Sequence, residues 1–164
     1  MQYKDEHPKH AHVWTHVQTG DFIDNYVVRS ELTPQKALKL AFEMPAWTTA
    51  LMRLRNLIVA PLGLKTDDIS QAREDNPDSL FPITYEDEGQ VVVGVDDSHL
   101  NFRISIVQHE GNIHMATWVH RNNWMGRAYL AIIMPFHVLI VRSCVKRVAR
   151  HKADQPIAST AKAQ

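Results

Sequence analysis

Cysteine occurs once in this chain of 164 residues, at Cys144. An internal disulfide is therefore excluded, and a lone thiol within an apolar run reads as a small packed hydrophobe rather than a nucleophile. Net charge is lacking as well: 18 Lys and Arg balance 18 Asp and Glu, so no long-range field draws nucleic acid or anionic lipid. The six glycines are isolated, without a single Gly-x-Gly pair, which removes the dinucleotide fingerprint and the phosphate loop. Neither the metalloprotease spacing of two histidines around a glutamate nor Gly-x-Ser-x-Gly is found. The first residues, Met-Gln-Tyr-Lys-Asp-Glu-His-Pro, have no apolar core of the signal-peptide kind, so the expected compartment is the cytoplasm. The longest apolar run, from Tyr129 to Val141, is broken by His137 and followed by charge. Its uninterrupted part falls short of the roughly 18 residues a membrane span needs, and it reads as a long buried helix rather than a membrane segment.

What is present is a change of period along one domain-sized chain. Residues 1–20 form a polar leader with His7, His10, His12 and His16 around Trp14. If extended, it would place His10, His12 and His16 on one side of a strand, where imidazoles can hold a divalent metal. No carboxylate or cysteine completes such a site, and a solvated leader or edge strand is the plainer reading. A strand follows around Tyr26-Val27-Val28. Thr33 then caps a helix whose first position is Pro34. Pro45 ends that helix, and Trp47, Leu51, Leu54 and Ile58 recur at the spacing of a second. The polar stretch from Lys65 to Ser79 reads as a binding loop or a solvated excursion.

From Phe81 the period is two. Phe81, Ile83 and Tyr85, then Val91, Val93 and Val95, then Leu100, Phe102, Ile104 and Ile106, then Ile113, Met115, Thr117 and Val119 alternate with polar neighbours between turn residues. That pattern predicts an antiparallel meander with one apolar face. The last long segment must cover it, with a kink or restart at Pro135. The expected fold is α+β: a curved antiparallel sheet wrapped around a long C-terminal helix, with two short helices after the first strand. One domain is expected over residues 21–152 and a disordered tail over 153–164.

Four blocks carry a family resemblance: Pro45-Ala46-Trp47 leading to Leu51-Met52-Arg53-Leu54-Arg55-Asn56; Gly94-Val95-Asp96-Asp97-Ser98-His99-Leu100-Asn101-Phe102-Arg103; Asn123-Trp124-Met125-Gly126-Arg127-Ala128-Tyr129-Leu130; and Pro135-Phe136-His137 before Ile140-Val141. From about Asp24 to Val148 the chain resembles a mainly bacterial family catalogued as domain of unknown function 2867. That family is similar to the helix-grip superfamily of the birch-pollen allergen, START domains and aromatic polyketide cyclases. The resemblance implies a seven-stranded or slightly smaller sheet gripping the C-terminal helix over a hydrophobic ligand cavity. It implies no catalytic residues.

Individual residues refine the expectation. His137 stands alone among apolar neighbours and needs a partner, either a ligand or, by the rule that buried polar groups are paired, a core carbonyl or hydroxyl. Thr117 shares the phase of Met115 and Val119, which turns its hydroxyl inward. Arg55 borders the apolar face of the second helix, where a guanidinium can hold a carboxylate or snorkel to water. Asp96, Asp97 and His99 look like an acid–base cluster but also read as turn chemistry. Arg103 falls on the polar face, where an acidic neighbour would pair with it. The basic end, with Arg142, Lys146, Arg147, Arg150 and Lys152, is what a helix dipole favours.

The expected function is binding of a small hydrophobic molecule by Arg55, Phe102, Met115, Thr117, Tyr129, Ile133 and His137. No cofactor, metal, nucleic acid or membrane partner is expected, and a homodimer is possible. The alternatives are a cyclase or hydratase using the same cavity, with His137 or His99 as acid–base and Arg55 or Tyr129 stabilising negative charge, and an interaction domain whose core leaves no room for a ligand.

Overall fold

The computed structural model describes residues 7–43 and 81–151. The second expected helix with Arg55, the polar stretch from Lys65 to Ser79, Lys152 and the tail at 153–164 lie outside the described residues.

Strand β1 (Phe22–Arg29) leads into helix α1 (Pro34–Phe42), and β2 (Ile83–Glu86), β3 (Gln90–Asp96), β4 (Leu100–His109) and β5 (Asn112–Arg121) precede helix α2 (Trp124–His151). The five strands form one antiparallel sheet in the order β1-β5-β4-β3-β2. With the long C-terminal helix against it, this is an α+β fold. Local chemistry sets the boundaries. Thr33 Oγ1 accepts the Lys36 amide at 3.3 Å, and Pro34 opens α1. The β4–β5 hairpin turns on Glu110 and Gly111, both at positive φ (49° and 73°), as a two-residue hairpin loop requires.

Register follows from the alternation. Phe102 faces Val119, Ile104 faces Thr117 and Ile106 faces Met115 across β4–β5. Phe22, Asp24, Tyr26 and Val28 of β1 face Val119, Thr117, Met115 and Ile113 of β5. These residues share one face of the sheet, since directly opposed side chains point the same way. Ala37, Leu38 and Ala41 of α1 and Cys144 and Val148 of α2 pack on it against Val91, Val93, Ile106, Ile113 and Met115. Farther along, Tyr129 closes over Leu100 and Val119, flanked by Phe22, Phe102, Leu130 and Ile133. Cys144 Sγ donates to the Ala41 carbonyl at 3.1 Å, and Arg147 donates to the carbonyls of Leu40 and Ala41 at 3.0 and 3.2 Å. The last turn of α1, which has no intrahelical partners for its carbonyls, is thereby capped by α2. Burial also pushes the Cys144 thiol up, in keeping with a packed rather than a reactive sulfur.

Three expectations change. From His7 on the leader packs against the sheet: His7, Ala11 and Val13 are buried, and a 3-10 turn (His12–Thr15) packs with Val107 and Trp118 on the sheet's other face. Imidazole and indole rings give this segment more apolar surface than its polarity suggests. Second, among the described residues α2 is covered on one side only. Its buried residues are Gly126, Tyr129, Cys144 and Val148, because a single helix can turn only one stripe toward a sheet. Third, α2 does not restart at Pro135 but runs through it. The carbonyl that loses its partner belongs to Ala131, which is exposed like Pro135 itself, so water can satisfy it.

Gly126 belongs to the first turn of α2 rather than to the preceding loop. A Cβ there would lie 2.1 Å from the His99 carbonyl oxygen. Asn123 fastens the same corner: its Oδ1 accepts the Gly126 amide at 3.0 Å and its Nδ2 donates to the Ser98 carbonyl at 3.1 Å.

Candidate functional site

An acidic residue lies among the apolar side chains beneath α2. Asp24, 1% exposed, sits in the phase of Phe22 and Tyr26 on β1, so the alternation that buries those rings also buries its carboxylate. Such a group needs partners to stay in place. It has two: His137 Nε2 at 3.0 Å from Oδ2, and the Thr117 amide, which donates to Oδ1 at 3.2 Å. A carboxylate only accepts, so His137 presents its Nε2 hydrogen to Asp24. The imidazole side chain is 19% exposed, and the Phe22 ring meets it edge-on with centroids 6.2 Å apart. A carboxylate that fixes one nitrogen of an imidazole fixes the ring's orientation and what the other nitrogen can do.

Tyr26 lies two places along β1 from Asp24. Its side chain is fully buried, and among the described residues its hydroxyl has no hydrogen-bond partner. Burial raises its pKa above the usual phenol value and the charge of Asp24 adds to this, with Arg142 opposing. Tyr26 therefore keeps its proton and stands as a buried donor with nothing to donate to.

The residues expected from sequence fall into place unevenly. Phe102, Tyr129 and Ile133 come together in one apolar group. Met115 lies in the neighbouring one, directly across from Tyr26. Thr117 and His137 are joined through Asp24. Arg55 is outside the described residues. Asp24 and Tyr26 escaped the sequence reading as site residues. Extending the alternation of Tyr26 and Val28 back by one step puts Asp24 on the apolar face, which was the available signal.

Other groups take structural roles. Arg103 is buried and donates from both terminal nitrogens to Asp96, at 2.8 and 2.9 Å, the pairing expected of its polar-face position. Asp97 accepts from the amide and hydroxyl of Ser98, and His99 Nδ1 meets the Asn123 amide at 3.0 Å. This is turn chemistry. Of the leader histidines, His12 stacks on Tyr85 at 3.9 Å and His10 meets His109 at 5.1 Å. Among the described residues no group of three or more His, Cys, Asp or Glu is placed to hold a metal ion.

On the outer face, His7 bridges Asn25 Oδ1 (3.1 Å) and Ser105 Oγ (3.2 Å). Burial lowers its pKa to about 4, with His114 and His10 adding to the effect and the Asn25 bond opposing it.

Neither the curated proteins nor the solved structures include one that matches this chain. A family model does match, over residues 16–144, from the leader's last turn through β1 and the sheet to Cys144 of α2. That span holds Asp24, Tyr26, Thr117 and His137, and the chain belongs to the family described as Protein of unknown function (DUF2867).

Proposed function

We propose that the protein binds a small, largely hydrophobic molecule between the sheet and α2, with Tyr26, Thr117 and the Asp24–His137 pair fixing its polar end. The observation that carries the reading is the Tyr26 hydroxyl, buried without a partner among the described residues. An unmet buried donor costs about 1–3 kcal/mol; a ligand oxygen placed there would recover it. Apolar neighbours such as Phe102, Met115 and Ile133 supply the affinity, and few polar groups supply orientation. The resemblance to helix-grip proteins, which hold ligands between sheet and terminal helix, supports the same placement.

The test is native mass spectrometry of gently purified protein against the denatured sample, followed by thermal-shift titration with fatty acids, sterols and aromatic polyketides. An apolar adduct lost on denaturation is expected. Tyr26→Phe is expected to keep the fold at equal or slightly higher stability while weakening binding roughly five- to tenfold, the worth of one hydrogen bond. Finding only ligand-free protein, with no shift across the panel, would refute the reading.

The Asp24–His137 pair favours a second reading, in which the oriented imidazole moves a proton on the bound molecule. Turnover of an identified ligand, lost in His137→Gln and in Asp24→Asn, would establish it.

A further inference from the structure

The side of α2 turned away from the sheet is as apolar as the side turned toward it. At about 100° per residue, Trp124, Ala128, Ile132, Pro135 and Leu139 fall on one stripe, and Arg142, Lys146 and Arg150 continue it. All of these residues are exposed, Trp124 at 74%, Ile132 at 44% and Leu139 at 54%. Gly126, Tyr129, Cys144 and Val148 lie roughly opposite and are buried. The helix holds five Lys and Arg and no acidic residue, although the chain as a whole is neutral. By length and composition it is long and apolar enough to cross a membrane.

We propose that this stripe docks the protein on an anionic lipid bilayer, with Trp124, Ile132 and Leu139 entering the headgroup boundary and Arg142, Lys146 and Arg150 meeting lipid phosphates. Three features select this occupant. Cations without any counter-charge on the same helix call for an anionic surface. An exposed tryptophan at one end of an apolar stripe suits the membrane interface, where the ring is buried and its N–H stays wet. The third is area. A stripe one helix wide and 27 residues long, Trp124 to Arg150, covers on the order of 400 Å², well below the roughly 800 Å² per partner of a stable dimer.

The helix lies on the bilayer and does not cross it. Crossing would strip Cys144 and Arg147 from α1 and His137 from Asp24, leaving a buried carboxylate bare. The expectation of no membrane partner rested on the chain's zero net charge and on an apolar run too short to span a bilayer, whereas α2 gathers five cations beside an exposed apolar stripe. The docking stripe shares no residue with the proposed ligand site, so either can fail alone.

The experiment is co-sedimentation of the full chain with vesicles of phosphatidylcholine alone and of phosphatidylcholine mixed with phosphatidylglycerol. Binding to the mixed vesicles only is expected, falling with salt, with a blue shift in emission that Trp124→Phe removes. Lys146→Glu/Arg150→Glu and Ile132→Glu/Leu139→Glu should each weaken binding roughly tenfold or more, with unchanged circular dichroism. Folded wild-type protein that ignores both vesicle types overturns the proposal. So does binding that neither double variant reduces, or a dimer that the Ile132→Glu/Leu139→Glu variant dissociates, which would assign the stripe to a second copy.

Discussion

Acid should loosen this protein through His7 before it touches any carboxylate. The imidazole is 4% exposed. It faces Asn25 from β1, Ser105 from β4 and His114 from β5, with Trp14 and His10 of its own segment beside it. No carboxylate is among these neighbours to welcome a proton. With the folded pKa lowered to about 4 from 6.5, the unfolded chain takes up the proton first as pH falls. The stabilisation is whole above pH 6.5 and is lost progressively down to about pH 4, where the folded state also protonates. The gap corresponds to about 3 kcal/mol, a large share of a typical domain's stability. His16, lowered mainly by burial, acts in the same direction. The low carboxylates act further down. Asp96 is held there by Arg103, and in Asp21 the upward push of burial is outweighed by the Gln18 amide, His120 and Trp118. His7→Gln keeps a donor and an acceptor but cannot charge, so it isolates the effect. Urea unfolding followed by circular dichroism, from about pH 7.5 to about pH 4, should show wild type losing about 3 kcal/mol relative to the variant. A difference that stays flat across this window would refute the reasoning.

Three further changes test the packing. His137→Leu strands the buried Asp24 carboxylate and should cost about 3–5 kcal/mol in chemical denaturation, with Asp24→Asn in the same chain recovering a substantial part. Gly126→Ala drives a methyl into the His99 carbonyl at 2.1 Å and should lower stability by about 1–3 kcal/mol, read as an earlier thermal midpoint. Glu110→Gly relieves a non-glycine residue at φ 49°; the relief of about 1 kcal/mol should outweigh the entropy a glycine adds to the unfolded chain and raise the midpoint slightly.

Most of the architecture was legible because period and turn chemistry are local. Alternation located β3, β4 and β5, and Thr33 with Pro34 located the start of α1. The phase that put Met115 and Thr117 inward holds across β1, β5 and β4. What escaped depends on partners distant in sequence. Asp24 drew no reading of its own, since the partner that accounts for its burial, His137, is 113 residues away. The leader's histidines read as polar because single residues do not reveal that rings stack, as His12 does on Tyr85. The exposure of α2 escaped for a related reason: an apolar helix states how much surface wants cover, and only the sheet decides how much receives it.

The placement of β1 has a consequence for the order of events in folding. Strands β3, β4 and β5 are hairpin neighbours and can assemble as soon as they exist. The first strand of the sheet has, among the described residues, its one partner in the last, with Phe22 opposite Val119, and its carboxylate is answered from α2 later still. During synthesis β1 therefore waits, an apolar edge without a ladder, until nearly the whole chain has emerged. Sequence-distant closure of this kind is slow, and the wait exposes the strand to pairing with other chains. The sheet's N-terminal edge, which forms last, is thus the part most open to aggregation, and the Asp24 charge that costs the finished fold interrupts the apolar run there and guards the unfinished one.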